Sequence, residues 1–174
     1  MQWLILILAV YVAETLQAAL DTVLCVGNIV PDWFVLTALL FVLTVRRPQP
    51  LLAGMIVGLA ADLSAVGPLG LSTALLALTT LGVARLRRKL HIEHPASRVL
   101  LIALATTLYT QGIIGITAIG PSLLMRNTIT LFIGAIGVGS YTAAFALPAL
   151  LIITWVREPR RVNSLGAAGH APRA

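Results

Sequence analysis

Charge is what this sequence has least of. Of its 174 residues only 10% are charged, six acidic and twelve basic, whereas a soluble domain carries about a quarter. So little charge cannot cover a water-facing surface, which excludes an ordinary soluble globular fold. Cysteine is nearly absent as well. The single Cys25 excludes an internal disulfide and a four-cysteine metal site, leaving a small apolar residue. The chain also has no H-E-x-x-H, no phosphate loop and no Ser/His/Asp arrangement. No residues are therefore assigned to catalysis or to a cofactor. His91 and His94 flank Glu93 three apart and fit one helical turn, but no third strong ligand accompanies them, so no metal site is expected.

Long apolar runs take the place of charge. The chain is 59% hydrophobic with a mean hydropathy of +0.98. A helix needs about 20 apolar residues to cross about 30 Å of hydrocarbon. Runs at 3–20, 29–45, 50–66, 69–84, 98–119 and 128–156 predict an all-α, polytopic integral membrane protein with six transmembrane helices. One domain, 1–161, holds them all, and 162–174, rich in Gly, Ala and Ser, reads as a disordered cytoplasmic tail. Runs two to four are short, which predicts tilt or borrowed flanking residues. The first run lacks a positive n-region and is interrupted by Glu14 and Gln17, so it reads as a retained helix rather than a signal peptide.

The net charge of +6 and pI near 10.8 would suit a nucleic-acid binder were the basic residues not confined to short clusters between apolar runs. Topology is the better explanation. Arg46 and Arg47 separate runs two and three. Arg85, Arg87, Arg88, Lys89 and Arg98 separate four and five, and Arg157, Arg160, Arg161 and Arg173 follow six. With six spans all three regions share one side, the cytoplasm, together with both chain ends. Arg126 alone lies on the other side. Arg46, Arg47, Arg85, Arg87, Arg88 and Lys89 are expected to meet anionic lipid, at about 1 kcal/mol per charge, or a cytoplasmic partner. The longest cytoplasmic connection, Arg85 to His94, is too short for a soluble domain.

Polar residues inside apolar spans are costly and mark candidate sites. Glu14 lies about 16 Å along its helix from Trp3, with Gln17 and Asp21 following at i+3 and i+7. This stripe is expected to face the bundle interior, either as a ligand, ion or partner contact or as an internal hydrogen-bond network. Asp62 lies about 18 Å beyond Pro50 and is expected to face the interior or an outward-opening cavity. Asp32, after Pro31, fits a helix N-cap. Gly67-Pro68-Leu69-Gly70 is a tight external turn. Ala9/Ala13, Gly54/Gly58 and Gly139/Ala143 are small pairs at i, i+4 that let helices approach closely, in internal packing or at a partner.

Several of these features occur together. Pro31-Asp32-Trp33-Phe34-Val35-Leu36 opens a short span. Gly54-Met55-Ile56-Val57-Gly58-Leu59-Ala60-Ala61-Asp62-Leu63 follows, and then Gly67-Pro68-Leu69-Gly70. In this order and spacing they resemble the rod shape-determining protein MreD family. Length, six spans and a basic cytoplasmic side extend the resemblance over most of the chain, while Glu14 and Gln17 match no family motif. The resemblance implies a non-enzymatic scaffold in the bacterial inner membrane. It would serve the cell-elongation machinery, rod shape and lateral peptidoglycan synthesis. Its implied partners are an MreC-like single-span protein, met through small-residue faces, the elongation glycan polymerase and transpeptidase, and the actin-like MreB. Pro31, Asp32, Asp62, Gly67, Pro68, Leu69 and Gly70 would form the family motif at the outer mouth. The fold is similar to the S component of energy-coupling-factor vitamin transporters, which supplies a second reading. There, Ala9 and Ala13 would meet a coupling subunit.

Overall fold

The computed structural model describes residues 2–20, 23–25, 29–45, 49–65, 68–90, 95–117 and 128–157. Among them are six helices: α1 (Gln2–Leu20), α2 (Trp33–Thr44), α3 (Pro50–Ser64), α4 (Leu71–Leu90), α5 (Pro95–Thr117) and α6 (Thr128–Arg157). Three contain stretches long and apolar enough to cross a membrane, at Trp3–Leu20, Ala96–Thr117 and Thr130–Ile153. The predicted tail at 162–174, together with Asp21, Arg46, Arg47, Gly67, His91, His94 and Arg126, lies outside the described residues.

Two helix bounds differ from expectation for local reasons. α2 starts at Trp33 rather than near Ile29, because Pro31 has no N–H to give and Asp32 is extended, with φ −92° and ψ 99°. α4 does not end before its basic cluster. It runs through Arg85, Arg87, Arg88 and Lys89 to Leu90, since Arg and Lys are good helix formers and cations suit a helix C-terminus. The expected connection Arg85 to His94 is therefore mostly helix.

α2 organises the bundle. It has no polar face, and a helix apolar all round is stable only when surrounded. Val35, Ala38, Leu39 and Val42 are completely buried. Its 12 residues span about 18 Å, short of the hydrocarbon thickness. Protein groups satisfy its free N–H and C=O ends. At the start, Val35 N–H donates to the Asp32 carboxylate at 2.9 Å. At the other end, Arg87 Nη1 of α4 donates to the Val42 and Val45 carbonyls at 2.7 and 3.2 Å. Arg87 was expected to contact lipid or a cytoplasmic partner. It is instead half-buried and bonded to the carbonyl end of α2, where the helix dipole favours a cation. Arg85, Arg88 and Lys89 remain exposed.

α2 touches all five other helices. Around it they follow one another as α1, α3, α4, α5 and α6, each touching the next. Among the described residues no Cα of α6 comes within 8 Å of one of α1.

Helices α3 and α4 approach closely. A Cβ on Gly58 would lie 2.5 Å from Thr73 Cα, and one on Gly54 would lie 2.6 Å from Ala77 Cα. Gly139 approaches α5 similarly, 2.7 Å from the Ala103 carbonyl oxygen, and Ala143 is buried beside it. These faces were candidates for partner contact. They are consumed within the bundle, because glycine pairs permit the tightest backbone approach. Ala13 is buried too, while Ala9 is half-buried.

Candidate functional site

The two aspartates begin the site. At the non-basic end of the bundle α3 stops at Ser64 and α4 begins at Leu71. Gly70 precedes α4 with φ +95°, a backbone that glycine adopts freely and other residues do not. Glycine has no side chain to cap the first turn of α4, whose free N–H groups need acceptors. Asp62 supplies them from α3. Its Oδ1 accepts from Ser72 N–H at 2.9 Å, and its Oδ2 accepts from Gly70 N–H and Thr73 N–H at 3.0 Å and from the Thr73 hydroxyl at 2.6 Å. Asp62 is 5% exposed. It faces the interior, as expected, but its carboxylate is occupied by α4 and does not line the adjoining cavity. Asp32 caps α2, as its position after Pro31 predicted. Its own N–H donates to Thr142 Oγ1 of α6 at 3.0 Å, tying the cap across the bundle.

Between these anchors lies a cavity of about 430 Å³. Gln17, Asp32, Ser72, Tyr109 and Thr110 give it polar walls, and Phe34 and Ile113 apolar ones. Helices α1 to α6 all contribute, which is why no single segment of sequence announced it. Tyr109 of α5 is buried and lines the cavity together with Ser72 and Asp32. Tyr109, Ser72, Thr73 and Thr142 were missed in the sequence. A tyrosine in an apolar span, and the Ser-Thr pair after Gly70, were the available signals.

The polar stripe of α1 does not behave as one unit. Gln17 turns inward, where its Oε1 accepts from Trp33 N–H at 3.3 Å. Glu14 was expected inside but is exposed on the flank facing α3, with the Ser64 hydroxyl 3.3 Å away. The buried stripe of α1 is Leu6, Val10 and Ala13, and at 100° per residue Glu14 falls well to one side of it. Pro31 is buried, whereas Pro68 and Leu69 of the turn are exposed.

Among the described residues no group of three His, Cys, Asp or Glu side chains could hold a metal. Asp32 and Asp62 serve as caps, and the cavity offers hydroxyl and amide groups and one acid, Asp32. Such an arrangement can hold a neutral or cationic ligand by hydrogen bonds.

No curated protein and no solved structure matches the chain. The family model for the rod shape-determining protein MreD matches residues 1–156, from the start of α1 almost to the end of α6. This chain belongs to the MreD family of rod shape-determining proteins.

Proposed function

We propose that the chain is a non-enzymatic membrane scaffold of the cell-elongation machinery, which holds an MreC-like single-span partner beside the enzymes of lateral peptidoglycan synthesis. The match to MreD across 1–156 carries this reading, since the family serves rod shape determination and is not one of enzymes. All six helices cross the inner membrane. The end bearing Arg85, Arg88 and Lys89 faces the cytoplasm with both chain ends, because short basic connections stay inside. The short α2 and α3 span with help from their neighbours, which shield their ends from lipid. Co-expression with an MreC-like protein and purification in mild detergent tests the reading. The two chains are expected to elute together in equimolar amount, and a well-folded chain eluting alone would sink it.

One observation favours a second reading, that of a vitamin-binding S component. The 430 Å³ cavity lies in the size range of small-molecule sites. The S-component reading expects native mass spectrometry of the purified protein to find a retained neutral or cationic small molecule. An empty, folded preparation that takes up no vitamin from a panel would remove it.

A further inference from the structure

The walls of the cavity decide the charge of what it can hold. It lies at the non-basic end of the bundle, where α3 stops and α2 and α4 begin. Ser64, which lines it, is exposed, so the cavity is reached from outside. Tyr109 and Val138, which also line it, are placed deeper. They lie about 12 Å along α5 from Thr117 and about 15 Å along α6 from Thr128.

Two helix N-termini at one end would ordinarily make an anion site. Here the N–H groups that would receive an anion are taken by the protein. On α4, Asp62 accepts from Gly70, Ser72 and Thr73. On α2, Gln17 Oε1 accepts from Trp33 and the Asp32 carboxylate from Val35. The Asp32 N–H donates to Thr142 Oγ1. Among the described residues that line the cavity there is no Lys, Arg or His. Arg85, Arg87, Arg88, Lys89 and Arg98 stand at the opposite end of the bundle. A phosphate or carboxylate would find carboxylates and no cation.

A cation finds the reverse. Gln17 and Asp32 both accept from the first turn of α2, so an amide oxygen and a carboxylate stand side by side on the cavity wall. The Ser72, Tyr109 and Thr110 hydroxyls can accept as well. Asp62 lies one hydrogen bond behind Ser72 and adds its negative charge. Charges act strongly where protein and hydrocarbon exclude water. With one acid in its lining, the cavity has too few carboxylates for a metal ion such as calcium. An ammonium has only donors to offer. Phe34 and Ile113 supply apolar walls for the body that carries it.

We propose that this cavity binds an organic ammonium ion, its charged head against Asp32 and Gln17 and its apolar body against Phe34 and Ile113. This rests on the small-molecule reading of the cavity and names the charge of the ligand. A soluble amine and the ammonium headgroup of phosphatidylethanolamine share that chemistry.

The test uses the full chain in an uncharged detergent and three probes of one shape: phenethylammonium, 2-phenylethanol and phenylacetate. Titration calorimetry is expected to show the cation bound at least about tenfold more tightly than the alcohol, and the anion not bound. Asp32→Asn keeps a good helix cap and removes the charge. It should abolish the preference for the cation and leave affinity for the alcohol and the melting temperature unchanged. Val138→Phe fills the deep end and should weaken the cation about tenfold or more; unchanged binding would place the probe elsewhere and overturn the proposal. Should Asp32→Asn fold poorly, the three probes on the unaltered chain decide the charge and Val138→Phe the place. Native mass spectrometry from nanodiscs of phosphatidylethanolamine and phosphatidylglycerol separates the sources. Retained phosphatidylethanolamine that phenethylammonium displaces marks a lipid headgroup, and cation binding without it marks a soluble amine. Equal affinity for cation and alcohol, or tighter phenylacetate, would overturn the proposal and leave the small-molecule reading standing. A folded chain that binds none of the three and retains no phosphatidylethanolamine would overturn it too, while the vitamin panel decides the small-molecule reading separately.

Discussion

Replacing Asp62 with alanine is expected to lower the apparent melting temperature in detergent by roughly 6–12 °C, from a loss of about 3 kcal/mol at 2–4 °C per kcal/mol for a chain of this length. The substitution strips the acceptors from three N–H groups and one hydroxyl at the start of α4, and Gly70 has nothing to offer instead. Asparagine should be almost as damaging. Both carboxylate oxygens accept from donors, so either orientation of the amide turns its NH2 toward an N–H. Glu14→Ala is the matching control. Glu14 receives at most a long bond from Ser64, a hydroxyl that also lies 3.0 Å from the Ala60 carbonyl, so its loss should leave the melting temperature unchanged. Loss of rod-shape rescue by Asp62→Ala in cells lacking the native gene should follow from the melted turn. An unchanged melting temperature with lost rescue would instead make Asp62 a binding group.

The second large effect is expected at Gly58. Alanine there puts a methyl 2.5 Å from Thr73 Cα and 2.9 Å from the Ser72 carbonyl oxygen. Both are backbone atoms of α4, held by the bonds to Asp62, and neither can step aside as a side chain would. Overpacking of this kind costs about 1–3 kcal/mol, and Gly58→Leu should separate α3 from α4 outright. Gly54→Ala should behave likewise, against Ala77 Cα at 2.6 Å. Gly134 and Gly82 have nothing within 4 Å of an added Cβ. Alanine at either should be neutral or stabilising by about 0.5–1 kcal/mol, because it restricts the unfolded chain and favours helix. Thermal unfolding of the four variants in one detergent checks the contrast. Equal effects at Gly58 and Gly134 would show that the close approach of α3 and α4 is not a constraint.

Much of the candidate site was legible in local order. Asp32 announced a cap because it follows a proline and leads an apolar run. Gly67 to Gly70 announced a reversal, and Gly70 does take the left-handed backbone. Asp62 was legible as an interior carboxylate but not as the cap of another helix, since its donors come eight to eleven residues later, across the turn. Glu14 and Gln17 share a helix face, yet only the position of α3 separates one flank of that face from the other. Arg87 read as one member of a basic cluster, and only the short reach of α2 turns it toward the Val42 and Val45 carbonyls.

Composition and local pattern alone determined that this chain is helical and apolar, roughly where each helix lies, and which end of the bundle is basic. Helix length, proline and glycine placement and charge clustering act over one or two turns and need no neighbours. Tertiary structure alone decided that α2 is the surrounded helix, that the Gly54/Gly58 and Gly139/Ala143 pairs are spent internally, and that six segments share one cavity. Hydropathy could not have decided these points. Lipid tails and protein interiors are equally apolar, so the same run of Leu, Val and Ala suits either, and only packing shows which of the two a given face meets.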